Sequence, residues 1–342
     1  MSSAIGFFLC TFARFSKNIF ISLFTIFSLF LSINTLAANG VDNLGRADYD
    51  LDDDGLIEIN DLVDLDEIRN NLNGKTLYGS NVGCPNAEDG TVNGGCIGFE
   101  LTQDLDFDTH ADGQIDSNDA YWNANDQGIG EGWLPVGTNS SNGQFSAQFN
   151  GNGYEIKNLT INRPARDYIG LFGAIRDSRI ENLVIAGPNS SIIGQSYTAA
   201  LVGYSYSNNQ MRNIIIAADV RGDSRVGGLV GSAYSTTQIE NSFVSGSISG
   251  NEHVAGLVGY LFPPNSSSKS TINQALSTAV ITGTGDRVGG LVGYSHYTDV
   301  IHNSYWAKDT STQVYSAGSF AANSYVGLDL VTLQCAIAEN TD

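Results

Sequence analysis

Gly228-Leu229-Val230-Gly231 decides the fold of this chain, because close copies of the block recur throughout its second half. The copies begin at residues 170, 200, 228, 256 and 290, so consecutive copies are 30, 28, 28 and 34 residues apart. Repeats of this length are typical of solenoids, in which every unit buries its apolar face against the next unit. Glycine beside the apolar pair permits a tight corner and a close approach of neighbouring units.

A second frame follows each block. An amide side chain stands two positions after an apolar residue, at Asn182, Asn213, Asn241, Gln274 and Asn303. An asparagine that recurs in a stack can hydrogen-bond to its copy in the next unit or hold a left-handed backbone corner. We therefore interpret this frame as structural.

The repeats contain short alternating apolar stretches and no long segment of helical period. Helical solenoids require such segments, and the blades of a propeller are longer than these units. The sequence therefore predicts an all-β fold, a right-handed parallel β-helix, at residues 132–310. We expect an N-terminal cap region at 39–131 and a C-terminal segment at 311–342, for which truncation stays open as an alternative.

The charge of the chain restricts its partners. Its 342 residues include 36 acidic and 16 basic side chains, which gives a formal net charge of -20. We expect no binding to nucleic acid, because binding to its phosphates requires clustered Lys and Arg side chains. An acidic balance is compatible with an exported protein and with metal cations.

Residues 1–38 have the pattern of a secretory signal peptide. Arg14 and Lys17 precede an apolar run at 19–33, and cleavage is expected after Ala37 or Ala38. An uncleaved anchor is the alternative, although the run is short for a membrane-spanning helix. We predict no membrane span after signal removal, and a secreted or bacterial cell-surface location.

Two acidic loops match the twelve-residue frame of a calcium-binding loop. Carboxylates alternate in such a loop, glycine at position six permits the sharp turn, and a hard cation takes six to eight oxygen ligands. The predicted ligands of the first loop are Asp50, Asp52, Asp54, Leu56, Glu58 and Asp61. Those of the second loop are Asp108, His110, Asp112, Gln114, Asp116 and Asp119. His110 stands where an oxygen is preferred, so the second site is expected to be weaker, and solvated Asp/Gly turns are the alternative at both loops.

The cysteines that remain after signal removal are Cys84, Cys96 and Cys335. Export permits disulfides, and Cys84 and Cys96 bracket a turn-rich loop, so we predict that they pair. A metal-binding pair is the alternative, but no His or further Cys lies near enough to complete a zinc site. Cys335 is left without an assigned partner.

The first acidic loop leads into a predicted strand and helix. Residues 56–59 are expected to form a short strand, and Asn60 is expected to cap a helix that Asn73 and Gly74 end. The residues predicted on the apolar face of this helix are Leu62, Leu65, Ile68 and Leu72. Such a helix is suited to cover the first unit of the stack, whose sheet edge would otherwise be unpaired.

At these residues the chain resembles proteins that bear the GLUG motif, named for the Gly-Leu-x-Gly block. The resemblance covers roughly Leu44 to Trp306 and includes the stretches at 55–59, 149–154 and 301–306. It implies an exported bacterial protein of β-helical fold, often part of adhesins or large surface proteins. Some relatives carry the repeats beside an immunoglobulin A metalloprotease, but this chain lacks a His-Glu-x-x-His motif, so the protease part is absent.

Catalysis by a polysaccharide-cleaving β-helix would require paired carboxylates at a cleft or a base beside calcium. The repeats are poor in Asp and Glu, and we interpret the scattered His296 and His302 as surface residues. We therefore predict a non-catalytic, calcium-stabilised protein that acts in surface adhesion or as a structural module. A carbohydrate-active enzyme and a remnant of a larger adhesin or protease-associated protein are the alternatives.

The expected partner is a glycan or a protein of the host or cell surface. Aromatic residues are the candidates for such a binding face, although some could belong to the core. They are Tyr204, Tyr206, Tyr260, Tyr294, Tyr297 and Tyr305.

Overall fold

A computed structural model describes residues 46–85, 95–123, 130–262, 269–285, 287–296 and 300–311, together with Asn265 and Leu328. The expected signal segment at 1–38 and Cys335 lie outside these residues. Within them the regular structure is almost entirely β-strand. No helix in this described part is long and apolar enough to cross a membrane.

The strands form four parallel sheets, which we number 1 to 4. Sheet 1 contains Leu56–Ile59, Gly98–Leu101, Leu105–Asp106, Gln148–Asn150, Glu155–Lys157, Arg179–Ala186, Asn209–Ala217, Thr237–Glu240, Phe243–Ser245, Thr271–Asn273, Leu276–Ser277, Val300–His302 and Tyr305–Trp306. Sheet 2 contains Thr160–Asn162, Ser191–Ile193, Asp219–Arg221, Ser247–Gly250 and Val280–Gly283. Sheet 3 contains Ser196–Thr198, Ser224–Gly227, Glu252–Ala255 and Val288–Gly289. Sheet 4 contains Phe172–Arg176, Val202–Tyr206, Val230–Tyr234, Val258–Phe262 and Val292–Ser295.

Each coil of the chain visits the four sheets in turn. One coil runs from Val202–Tyr206 in sheet 4 through Asn209–Ala217, Asp219–Arg221 and Ser224–Gly227, and the next begins at Val230–Tyr234. Every sheet pairs a strand with its equivalent in the neighbouring coil, always in parallel. The predicted parallel β-helix is confirmed, and the strands of sheet 4 mark five coils.

The repeated block forms the corner between sheets 3 and 4. Its leucine is completely buried in every coil, at Leu171, Leu201, Leu229, Leu257 and Leu291. The following apolar residue begins the sheet 4 strand, and Val202 pairs in register with Phe172 on one side and Val230 on the other. The block is therefore a tight corner, as predicted, with its last two residues entering a strand.

The glycine that ends each block is required by the spacing of the coils. A Cβ atom at Gly231 would lie 2.5 Å from the carbonyl carbon of Tyr197 and 2.7 Å from the carbonyl oxygen of Gly203. The same crowding recurs one coil later, where a Cβ at Gly259 would lie 2.6 Å from the carbonyl carbon of Arg225. A side chain at this position therefore forces neighbouring coils apart.

The recurring amides adopt both of the predicted roles. Asn182, Asn213 and Asn241 have φ values of 52°, 55° and 49°, the left-handed region that Asn tolerates better than most residues. Asn213 Nδ2 donates to Asn182 Oδ1 at 2.7 Å, and Asn241 Nδ2 donates to Asn213 Oδ1 at 3.3 Å. The interpretation of this frame as a structural ladder is confirmed.

A column of apolar side chains on sheet 1 joins the N-terminal region to the repeats. Successive members pair in register, and each is at most 3% exposed. They are Ile57, Phe99, Phe149, Ile180, Met211, Ile239, Ile272 and Ile301. The predicted strand at 56–59 is thus the first rung of the ladder, which continues across the boundary expected between residues 131 and 132.

The predicted helix after this strand is present but begins one residue later and is shorter than expected. It spans Leu62–Glu67 and continues as a 3-10 turn at Ile68–Asn70. The capping residue is Asp61, because its side chain accepts hydrogen bonds from the backbone of Val63 and Asp64. The prediction of Asn60 as the cap is therefore wrong.

The predicted disulfide between Cys84 and Cys96 is confirmed, with the two Cα atoms 5.0 Å apart. Cys96 is 1% exposed and belongs to the same buried core as the apolar column. The bridge therefore fastens the segment that follows the first acidic loop to the residues just before Gly98–Leu101, the strand that pairs with Leu56–Ile59.

Replacing Gly231 with Ala is expected to lower the free energy of unfolding by about 1–3 kcal/mol, because the added methyl group overpacks the corner. Chemical denaturation measures the change. The matched control is Ala200→Gly, which removes a methyl group from another block and should cost at most about 1 kcal/mol. Unchanged stability in Gly231→Ala would contradict the crowding argument.

Replacing Asn213 with Ala is expected to cost about 1–2 kcal/mol, because the ladder bonds are lost and Ala is held at positive φ. Asn213→Gly also loses the bonds but adopts this backbone without a steric penalty. The Ala variant should therefore be the less stable of the two in denaturant titrations. Equal losses would show that the left-handed corner is not a constraint.

Candidate metal centre

The first acidic loop is held in a tight turn by its own carboxylates. Asp50 Oδ2 accepts from the backbone N–H of Gly55 at 2.9 Å, and Asp54 Oδ1 accepts from that of Leu56 at 2.7 Å. Asp53 and Gly55 take positive φ values of 62° and 89°, which make the reversal possible. The turn places the strand that begins at Leu56 directly after the acidic residues.

Two carboxylates of this loop are buried with an oxygen left unsatisfied. Asp50 is 0% exposed and Glu58 is 3% exposed. Among the described residues, neither Asp50 Oδ1 nor Glu58 Oε2 has a hydrogen-bond partner, although Glu58 Oε1 accepts from the N–H of Leu51 at 2.5 Å. A buried carboxylate oxygen without a partner is costly, so a proton, a water molecule or a cation at this position would stabilise the site.

A third buried carboxylate comes from the neighbouring rung. Glu100 is 6% exposed, and its strand pairs in parallel so that Glu100 stands directly beside Glu58. Neighbouring strands lie only about 4.8 Å apart, so two like charges face each other across the ladder. Asn152 Nδ2 donates to Glu100 Oε2 at 2.7 Å, and among the described residues neither glutamate side chain forms an ion pair.

The carboxylate oxygens converge in two overlapping groups. Asp50, Asp52 and Glu58 form one group and Asp52, Asp54 and Glu100 form the other, with one oxygen from each member lying within 4.8 Å of the others. Asp52 belongs to both groups. Clustered carboxylate oxygens of this kind are the ligands that hard divalent cations such as Ca²⁺ take.

Burial sets the protonation of this cluster. Loss of solvent, helped by the charges of Glu100 and Asp50, raises the pKa of Glu58 to about 7. Burial likewise raises the pKa of Asp50 and of Glu100 above their usual ranges. A bound cation would reverse this preference and hold the three carboxylates ionised.

Arg46 lies beside the cluster but pairs with a carboxylate outside it. Arg46 forms an ion pair with the buried carboxylate of Asp64, and its Nη1 donates to the backbone carbonyl of Glu58 at 2.7 Å. The positive charge of Arg46 therefore mainly offsets that of Asp64, which lies outside the two carboxylate groups. The five carboxylates of the two groups are left to repel one another.

The remaining predicted ligands of the first loop are placed differently. Asp61 Oδ1 accepts from the N–H groups of Val63 and Asp64 at 2.9 and 2.8 Å, so this oxygen caps the helix. Leu56 begins the first strand. The structure thus brings together Asp50, Asp52, Asp54 and Glu58 and adds Glu100, which the sequence analysis missed because strand register, not loop spacing, brings it there.

The disulfide lies against the cluster but does not offer a metal ligand. Oxygen and sulfur atoms of Asp50, Cys84 and Cys96 lie within 4.8 Å of one another. Both sulfurs are in the disulfide, so neither is the thiolate that a metal requires. The bridge instead lies beside the buried side chain of Asp50.

The second acidic loop folds in the same way but does not form a similar cluster. Asp108 Oδ2 accepts from the N–H of Gly113 at 2.8 Å, and Asp112 Oδ1 from that of Gln114 at 2.9 Å, as in the first loop. Asp119 accepts from the N–H groups of His110 and Asp116 at 3.1 and 2.9 Å. Burial acts to raise the pKa of Asp119, but these backbone bonds lower it. Among the described residues, no three carboxylates of this loop converge as those of the first do.

The predicted aromatic residues are divided between two sheets. Tyr204, Tyr206, Tyr260 and Tyr294 lie on sheet 4, and all four are half-buried. Tyr305 lies on sheet 1 instead. Tyr297 is outside the described residues.

Comparison with known proteins locates one of the repeats. The GLUG motif family matches residues 222–249, which make up one complete coil. The predicted resemblance to GLUG-motif proteins is confirmed by this match.

Two relatives share part of the chain. A protein of Evansella cellulosilytica described as a Gly-rich membrane protein is 35% identical over 112 residues, which are 32% of this chain and 11% of that protein. The halomucin of Haloquadratum walsbyi is 32% identical over 126 residues, which are 36% of this chain and 1% of halomucin. The shared region is therefore a small fraction of each relative.

The chain was also matched to a solved structure from Bacteroides ovatus, of a protein provisionally described as an immunoglobulin A1 protease. The TM-score is 0.48 at 16% sequence identity, with 80% of this chain and 84% of the other covered.

The raised pKa of Glu58 predicts a pH dependence of the calcium-free protein. Because its pKa increases from 4.5 to about 7 on folding, the folded state holds the proton more tightly. In chelator, the free energy of unfolding should therefore fall as the pH rises from about 4.5 to about 7. Glu58→Gln should reduce this slope in denaturant titrations.

The control for this prediction is Glu240→Gln, since Glu240 is far along the chain from the cluster and its ion pair is with an arginine, Arg212, rather than with a histidine. It should leave the slope unchanged. A slope that is equal in wild type and Glu58→Gln would show that Glu58 is not the titrating group.

Proposed function

We propose that this chain is an exported, non-catalytic β-helical scaffold of the bacterial cell surface, which calcium stabilises at its N-terminal cap and which acts in attachment. The observation that carries the proposal is a pair of buried oxygens, on Asp50 and Glu58 beside Asp52, for which the described residues offer no hydrogen-bond partner. A cation at this position satisfies both oxygens and offsets the repulsion among the carboxylates.

Calcium is the cation that best suits this set of ligands. All the converging atoms are carboxylate oxygens, and the loop has the alternating acids and glycine of a calcium loop. Magnesium demands a stricter octahedral arrangement and keeps more of its water, which suits a compact, partly buried loop less well. The disulfide beside the site is compatible with an extracellular setting, where calcium is abundant.

The position of the site explains why its occupancy matters for the whole fold. Strand Leu56–Ile59 is the first strand of sheet 1, so it ends the ladder. An exposed ladder end is a template for unwanted pairing, and terminal units of a solenoid must be capped. A cation that links the loop to Glu100 would fasten this end strand to the second rung.

The role in attachment is supported by architecture and by relatives. A stack of coils presents long, repeated surfaces, which suits binding more than chemistry. Proteins described as a Gly-rich membrane protein and as halomucin share its sequence over limited regions. Within the described residues, the grouped carboxylates are those of the cap, where they suit a cation better than an acid–base pair.

Calcium is expected to raise the midpoint of thermal unfolding of residues 39–342. At a calcium concentration one hundred times the dissociation constant, the stabilisation is about 2.7 kcal/mol. For a chain of about 300 residues, whose unfolding entropy is about 2.1 cal/mol/K per residue, that corresponds to roughly 4 °C relative to chelator. Calorimetric or circular-dichroism melts measure the shift.

The matched variants are Asp52→Asn and Asp53→Asn, which remove the same charge from the same turn. Asp52 belongs to both ligand groups, whereas Asp53 belongs to neither. Asn also tolerates the positive φ of residue 53. The calcium shift should be lost in Asp52→Asn and kept in Asp53→Asn, and loss or retention in both alike would contradict the assigned site.

A further inference from the structure

The outer surface of sheet 4 and the adjoining strand Ser196–Thr198 of sheet 3 carry a set of aromatic side chains, which we call the aromatic face. All its members are half-buried and belong to successive coils. The residues that define it are Tyr197, Tyr204, Tyr206, Tyr234, Tyr260 and Tyr294. Sets of aromatic rings left partly open on a protein surface commonly mark binding sites.

The rings of the aromatic face are ordered by the stacking of the coils. Tyr206 and Tyr234 pair in register, with ring centroids 5.6 Å apart and planes 7° from parallel. Tyr260 and Tyr294 also pair in register, at 5.2 Å and 14°. The rings therefore form a nearly rigid surface that repeats along the axis of the β-helix.

Two arginines are built into this surface. The guanidinium of Arg225 lies 4.5 Å from the ring centroid of Tyr197 and 5.0 Å from that of Tyr260. Arg287 lies 4.6 Å from the ring of Tyr294, and its Nη1 is 3.0 Å from Nε2 of His253. Stacking on rings fixes the guanidinium plane while leaving N–H donors at its edge.

Among the described residues these arginines have no direct carboxylate partner, and Glu252 reaches Arg287 only through His253, whose Nδ1 lies 3.7 Å from Glu252 Oε2. In the described part of the chain, neither Arg225 nor Arg287 forms an ion pair, whereas Arg163, Arg179 and Arg212 do. On a chain of net charge -20, this face thus carries two fixed cations without an ion-pair partner in the described part of the chain. An anionic partner complements this surface.

We propose that the aromatic face binds an acidic polysaccharide, such as a polymer of uronic acid. The C–H groups on the face of a sugar ring meet the negative face of an aromatic ring, and carboxylates accept paired hydrogen bonds from guanidinium. An extended polymer of repeating units matches a surface that repeats with each coil. The inference rests on the proposed attachment function and names the chemical class that is attached.

The test is binding of a short oligomer of galacturonic acid to residues 39–342 in saturating calcium, measured by calorimetry. The matched ligand is the same oligomer with methyl-esterified carboxyl groups. Two protein variants are compared. The double variant combines Arg225→Gln with Arg287→Gln, and the control, Arg212→Gln, removes one positive charge from sheet 1. Thermal melts of each variant establish that the fold is retained.

The proposal expects binding of the acid oligomer and at least about tenfold weaker binding of its ester. The double variant should lose at least about tenfold in affinity, and Arg212→Gln should bind as wild type does. Binding of wild type should also weaken with added salt, which tests the electrostatic part even if the double variant unfolds.

Three results would overturn the proposal. They are no binding of the acid oligomer, equal binding of the ester, and undiminished binding by a folded double variant. A dimer in sedimentation that the double variant abolishes would assign the face to a second copy of the chain and overturn it too. A calcium-dependent melting shift without oligomer binding rejects this inference alone, whereas binding without that shift rejects the calcium-stabilised scaffold.

Discussion

In-register stacking of coils is the constraint on which the rest of this structure depends. Each side chain stands about 4.8 Å from its equivalent in the next coil, so whatever one coil places at a position must tolerate its neighbour. Apolar side chains satisfy this condition by packing, asparagines by hydrogen-bonding along the ladder, and tyrosines by stacking. Glycine satisfies it at the block corners, where a side chain would meet backbone.

Charged residues are the difficult case for such a stack. Glu58 and Glu100 begin a second column of paired residues on sheet 1. Further along that column, Glu181 and Glu240 are separated by Arg212, whose Nη2 lies 3.0 Å from Glu240 Oε2. At the cap, Glu58 and Glu100 are direct neighbours with no arginine between them, and both are buried. A metal ion at the cap would take the role that an arginine has in the later coils. If calcium binds there as proposed, the cap couples the stability of the fold to the calcium concentration outside.

The sequence predicted the features that depend on local pattern. The period of the block predicted the solenoid, the frame at Asn213 predicted the ladder, and Cys84 and Cys96 predicted the disulfide. The helix cap was assigned to Asn60 rather than Asp61, because both residue types cap helices and the boundary depends on geometry. Glu100 was missed because parallel register brings it beside Glu58, and register between distant strands is not visible in residue spacing.

The most direct test of the central claim is a calorimetric titration of calcium into residues 39–342 near pH 7, in two buffers with different ionisation enthalpies. If the cation binds among Asp50, Asp52 and Glu58, saturable binding should release protons, because the pKa of Glu58 is about 7 before the metal binds. Glu58→Gln should abolish the proton release and weaken the binding. No saturable binding, or binding that is the same in Glu58→Gln, would contradict the account.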